Sequence, residues 1–153
     1  MRWRKSIKAQ KSIVIKAEAE KIWPLIVEPG NIGKWCSPVI RILQIGEKSS
    51  GLGSTFYFEE RAMGRLLQMN FIVTEWEFHR SVAFKLISGN LVKGYEQRYT
   101  LESTPTGLNV TCFENVKLPF GILGKFAGLF RKRVTEAPLE RNLVDLKTLA
   151  EAC

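Results

Sequence analysis

Residues 95–118 read YEQRYTLESTPTGLNVTCFENVKL, two runs of period-two alternation joined by Thr104-Pro105-Thr106-Gly107. Pro, Gly and hydroxyl residues in a four-residue break are turn chemistry. So short a break joins antiparallel strands, because a parallel crossover needs about a dozen residues. Successive side chains of a strand point to opposite faces. Tyr95, Gln97, Tyr99 and Leu101 therefore share one face, against Glu96, Arg98, Thr100 and Glu102 on the other. In the second run Leu108, Val110, Cys112, Glu114 and Val116 go together. The hairpin has one apolar face, and Gln97 and Glu114 are the polar marks upon it. A one-residue slip instead turns Glu114 outward and Phe113 in, so the strand register decides where this carboxylate lies.

The same reading extends upstream. Strands are predicted over 39–47, 54–61, 66–77 and 82–88, with turn residues between them at 48–51, 63–64, 78–81 and 88–90. Leu67, Met69, Phe71 and Val73 face one side of their strand, as do Val82, Phe84 and Leu86 of the next. Glu59, Glu60 and Arg61 read as a solvated strand end. A first strand over 12–17 brings the count to seven, all antiparallel, with one apolar face to be covered. After it the spacing turns helical over 17–27, where Ala19, Ile22, Trp23 and Ile26 recur at three and four. Pro24 kinks that helix or delays its start, and Pro29-Gly30 ends it. A second short helix is predicted over 31–36, capped by Asn31 and stopped by Ser37-Pro38.

The cover for the sheet must come from residues 121–152. Ile122, Leu123, Phe126, Ala127, Phe130 and Val134 form one stripe; Leu139, Leu143, Leu146, Leu149 and Ala150 form another. At about 100° per residue the two stripes lie roughly 180° apart on a straight helix. One half would then be exposed. Pro138 resolves the conflict by kinking or breaking the helix over 135–138, with Thr135 placed to cap the second piece and Pro138 tolerated in its first turn.

Composition bounds the rest. The chain has 153 residues, 45% of them hydrophobic and 25% charged, as in an ordinary globular protein. With no repeat or linker, one domain over 1–153 is expected. No apolar run nears the roughly 20 residues of a membrane span, and the basic start lacks the apolar core of a signal peptide. Cys36, Cys112 and Cys153 are odd in number and match no metal spacing, so reduced thiols and a cytoplasmic location are expected, with no metal. The net charge of +8 is concentrated in 2–11 and at Arg131, Lys132 and Arg133. No aromatics interleave a basic strand, which argues against nucleic acid as a partner.

Five stretches together resemble the START-like superfamily, also called SRPBCC or helix-grip, in its polyketide cyclase/dehydrase-like branch. They are Ser-Ile-Val-Ile-Lys-Ala (12–17) running into Ala-Glu-Lys-Ile-Trp-Pro-Leu-Ile (19–26), Trp35 with Ser37-Pro38-Val39, Gly-Leu-Gly-Ser-Thr-Phe (51–56) and Val-Thr-Glu-Trp (73–76). The resemblance covers about 12–152. It implies an α+β helix-grip fold, a curved seven-stranded antiparallel sheet around a long C-terminal helix with two short helices after the first strand. It also implies a small hydrophobic ligand held between sheet and helix. The break at Pro138 departs from the family's continuous helix.

On that fold the bulky walls of a cavity are Trp35, Phe56, Phe58, Met69, Phe71, Phe84 and Leu86, with Phe126 and Phe130 from the cover. Tyr95, Gln97, Tyr99 and Glu114 supply polar groups to orient a ligand. Glu114 is the one weak catalytic candidate, since a buried carboxylate must be paired or protonated. No acid/base dyad, phosphate loop or nucleophile motif occurs, and the single histidine, His79, reads as an exposed turn residue. The first reading is a binder or carrier of a lipid, sterol-like or polyketide-like molecule, without cofactor, as monomer or homodimer. The second is a polyketide cyclase or aromatase using the same cavity. The third is a peripheral membrane or protein-interaction module acting through the basic amphipathic segment 119–133, with Arg131, Lys132 and Arg133 against anionic lipid.

Overall fold

A computed structural model describes residues 6–62, 64–117 and 135–152. The chain runs β1 (Ser6–Ile15), α1 (Ala19–Val27), α2 (Pro29–Ile32), β2 (Val39–Ile45), β3 (Thr55–Ala62), β4 (Arg65–Glu77), β5 (Ser81–Gly89), β6 (Gly94–Thr104), β7 (Gly107–Lys117) and α3 (Ala137–Glu151). The seven strands form one antiparallel sheet in the order β1-β7-β6-β5-β4-β3-β2. Strands β2 to β7 are a meander of short hairpins, and β1 closes onto the last of them. Register shifts at Asn70/Phe71 and Val73/Glu75 in β4 bend the sheet, as bulges do. The concave face wraps α3.

The first strand begins earlier than the expected 12–17. Ile7 and Ala9 are buried and alternate with exposed Lys8 and Gln10, so the basic start continues the period-two pattern. Its partner is distant in sequence, Ser6 opposite Lys117 and Ile15 opposite Leu108. Local reading cannot find such a pairing.

Helix α1 keeps Pro24 inside it and buries Ile22, Trp23 and Ile26. The second helix differs from expectation. It spans Pro29–Ile32, with proline in its first turn, where no backbone N–H is needed. Asn31 lies within it rather than capping it, and its Nδ2 donates back to the Pro24 carbonyl oxygen at 3.1 Å.

Pro138 is likewise a first-turn proline: α3 starts at Ala137, entered through Glu136 and not capped by Thr135. Leu139, Leu143, Leu146 and Ala150 are buried, the predicted inner stripe of this piece. Ile15, Ile22, Ile26, Met69, Val73, Val82, Val110 and Cys112, all at 2% exposure or less, belong to the same core cluster. Two polar ties hold α3 to the start of the sheet. Lys147 Nζ donates to the Val14 carbonyl oxygen at 2.8 Å, and the Lys16 backbone N–H donates to Glu151 Oε2 at 2.7 Å. The expected first stripe (Ile122 to Val134) lies outside the described residues.

Candidate functional site

On β6 the inner face passes from aliphatic Leu101 to Tyr99, Gln97 and Tyr95. At the end where β3, β4 and β6 approach α2 and the first turns of α3, side chains stop short of filling the space. The hollow has a volume of about 310 Å³. Trp35, Phe58, Met69, Phe71, Phe84 and Tyr99 line it as apolar wall, with Leu139 on the helix side. Edge-to-face contacts fix these rings: Phe58 on Phe71 with centroids 5.3 Å apart, Phe71 on Tyr95 at 5.4 Å, and Trp35 on Tyr99 at 6.1 Å. Trp35 Nε1 donates to the Leu25 carbonyl oxygen at 2.7 Å, leaving its indole face to the cavity.

The register puts Glu114 inward, opposite Gln97. The slipped alternative with Phe113 inside is not adopted: Phe113 is only half-buried, whereas Glu114 is 9% exposed and lines the cavity. Tyr95 Oη donates to Glu114 Oε1 at 2.7 Å and Gln97 Nε2 donates to the same oxygen at 2.8 Å. Neither bond engages Oε2. Burial pushes the Glu114 carboxyl up, and the two hydrogen bonds pull in the opposite direction. Burial and then the Glu114 charge push the Tyr95 hydroxyl up, so it stays a proton donor.

A second carboxylate shares the cavity. Glu60 follows Phe56 and Phe58 at period two on β3, so it faces inward, half-buried, and is not part of a solvated strand end. Burial, then repulsion from Glu114, raises its carboxyl to about 7. Glu59, on the outer face, pairs instead with Arg41 at 3.6 Å. The signal for Glu60 was present in the alternation; a charged triplet (Glu59, Glu60, Arg61) at a strand end obscured it.

Two further residues were not singled out by sequence. Cys36 lines the hollow, and burial followed by both carboxylates pushes its thiol up, which leaves it protonated and weakly nucleophilic. Asn142 stands on the inner stripe of α3, three residues after Leu139. Its Nδ2 donates to Cys36 Sγ at 3.4 Å, while its Oδ1 is buried without a partner among the described residues.

Not every expected wall residue reaches the cavity. Phe56 is buried in the main core, since β3 meets the hollow only from Phe58 onward. Leu86 sits beside the β4 register shift and borders a separate hollow with Lys85 and Lys93. Phe126, Phe130, Arg131, Lys132 and Arg133 lie outside the described residues. His79 is in the β4–β5 turn with a left-handed φ of 65°, stacked on Phe78 at 3.8 Å, away from the cavity. Among the described residues no group of three or more His, Cys, Asp or Glu side chains is placed to hold a metal ion, and no helix is long and apolar enough to cross a membrane.

A family model described as polyketide cyclase/dehydrase and lipid transport matches residues 6–151. No curated protein sequence matches the chain significantly. Among solved structures, a START superfamily protein from Mycobacterium smegmatis aligns with a TM-score of 0.81 at 16% identity, covering 95% of this chain and 97% of that one. The di-domain aromatase/cyclase StfQ of the steffimycin biosynthetic pathway aligns with a TM-score of 0.78 at 15% identity. It covers 96% of this chain, which spans only 52% of that longer protein. Major latex-like protein 151 of Panax ginseng aligns with a TM-score of 0.73 at 12% identity, covering 95% and 98%. At such identities the likeness is one of fold.

Proposed function

The chain belongs to the polyketide cyclase/dehydrase and lipid transport family, within the START-like helix-grip superfamily, and from that premise we propose that it binds a small hydrophobic molecule between sheet and α3. The observation that carries this reading is the aromatic-walled hollow of about 310 Å³ with Tyr95, Gln97 and Glu114 converging at its polar end. Small-molecule sites are mostly apolar with a few placed polar groups, and span about 300–1,000 Å³. This one is at the small end, which favours one ring system or one acyl chain over a two-chain lipid. Trp35, Phe58, Met69, Phe71, Phe84 and Tyr99 contact the apolar body, burying it at roughly 25 cal/mol per Å². Tyr95, Gln97 and Glu114 orient its polar group. Residues 1–153 act together as one binding domain.

Native mass spectrometry of the purified protein, followed by extraction, tests this directly. A co-purifying apolar compound, displaced by added single-chain or ring ligands, is the expected result. Failure to retain or bind any lipid or aromatic compound from a broad panel contradicts it.

Catalysis in the same cavity is favoured by one arrangement, two carboxylates (Glu60 and Glu114) lining a single hollow, where burial raises Glu60 to about 7. A general acid or base works best when its pKa is near the operating pH. Under this reading Glu60→Gln or Glu114→Gln abolishes turnover of a polyketide-like substrate; under simple binding each only tunes affinity.

A further inference from the structure

We propose that the ligand of this cavity is an apolar amine, its ammonium group held at the Glu60–Glu114 end of the hollow. The inference rests on the binding function proposed above and names the chemistry of the ligand's head. Its ground is an imbalance of donors and acceptors. The donors of Tyr95 and Gln97 are already directed at Glu114 Oε1. On the acceptor side, and among the described residues, Glu114 Oε2 has no hydrogen bond, Glu60 has neither a hydrogen bond nor an ion pair, and Asn142 Oδ1 is buried and unpartnered. All three residues line one cavity.

Unmade hydrogen bonds of buried acceptors are costly, and buried carboxylates without a cation more so. A ligand that supplies several donors and a positive charge relieves both. An ammonium has three donors and no acceptor, whereas a hydroxyl supplies one donor and a carboxylate none. Arg61 and Arg141 also border the hollow, but both are exposed and pair with neither carboxylate. The wider field opposes this choice: with a net charge of +8 the molecule as a whole attracts anions. A preference for a cation must therefore come from the local pair.

Among the described residues, the remaining titratable groups facing these carboxylates are Cys36, Tyr95, Tyr99 and Cys112, whose protons burial holds in place, so all stay neutral. Burial raises the Glu114 carboxyl as well, and Glu60, with its carboxyl at about 7, changes charge around neutrality. Amine affinity consequently rises as pH climbs through that value.

The test is a calorimetric titration of the full chain with decylamine, decanol and decanoate, three probes that share an alkyl chain and differ in the head. The amine is expected to bind at least tenfold more tightly than the alcohol at about pH 8, with decanoate weakest. That advantage shrinks severalfold by about pH 6. Glu60→Gln and Glu114→Gln, made separately, each reduce the ratio of amine to decanol affinity, and an unchanged far-UV circular dichroism spectrum and melting transition report that each variant is folded. A ratio unmoved in both folded variants overturns the amine proposal. Alcohol or decanoate binding as tightly as the amine overturns the amine proposal and leaves the apolar cavity standing. No binding by any of the three overturns the cavity reading and the amine proposal together.

Discussion

Glu60 and Glu114 show how one strand position acquires its chemistry. Each carboxylate is turned inward by the period-two pleat and deprived of bulk water, so each is easier to protonate than a surface glutamate. For Glu60 the consequence for stability has a definite sign. Folding raises its carboxyl from an ordinary 4.5 to about 7, so the native state holds a proton that the unfolded chain releases between those values. The stabilising contribution is complete below 4.5 and is lost as pH rises through about 7. Urea midpoints are therefore expected to fall between about pH 5 and pH 8, and Glu60→Gln to flatten that slope, by roughly 2 kcal/mol at most given the partial exposure of the side chain. An unchanged slope in the variant assigns the effect elsewhere. Tyr95→Phe removes the 2.7 Å bond to Glu114 Oε1. It is expected to cost about 1–3 kcal/mol, as for a buried polar group that loses a hydrogen-bond partner. Chemical denaturation reads this directly. At this scale the sequence was partly legible. Glu114 and Gln97 stood out as polar interruptions of an apolar face, while Glu60 was hidden among charged neighbours although it obeys the same alternation.

Elements were more legible than residues wherever their signals are local. The hairpins follow from short breaks with turn chemistry, and the buried stripe of α3 from leucines at three and four. What escaped was long-range: residues 6–11 belong to β1 because they pair with residues 112–117 of β7, more than a hundred residues away. Pro138 lies in the first turn of α3 as expected, whereas Pro29 was read only as the end of α1 and also opens α2, since a first-turn residue has no intrahelical N–H bond to lose. Two substitutions probe the elements. Leu146→Ala empties a fully buried site on α3 facing the sheet and is expected to cost about 2–5 kcal/mol in urea denaturation. A loss under about 1 kcal/mol contradicts the packing of α3 against β1 and its neighbours. Gly107 opens β7 at φ 151°, where an added Cβ would meet the Ile15 carbonyl oxygen at 2.6 Å. Gly107→Ala must move the β1–β7 pairing and is expected to destabilise by about 1–3 kcal/mol. Amide exchange should quicken first at Ile15 and Leu108.

For the whole molecule, the curvature of the sheet decides function. A flat sheet would press evenly on α3; this one, bent at the β4 bulges, packs tightly along Leu139, Leu143, Leu146 and Ala150 and leaves a hollow beyond. Sheet and helix were readable from alternation and spacing, but the volume left between them was not, because it depends on bulges and on where each ring comes to rest. Phe56 and Leu86 illustrate this. Both face the right way by parity, and neither borders the cavity. The central claim is that this hollow takes a small apolar ligand. The most direct measurement is an NMR titration of the protein with decanol, following the Met69 methyl and the Trp35 indole, both on the cavity wall, against the Trp76 indole, which packs on Trp23 outside it. Saturable shifts at Met69 and Trp35 with Trp76 unmoved are the predicted result. Shifts confined to surface groups, or none at all, would contradict the claim.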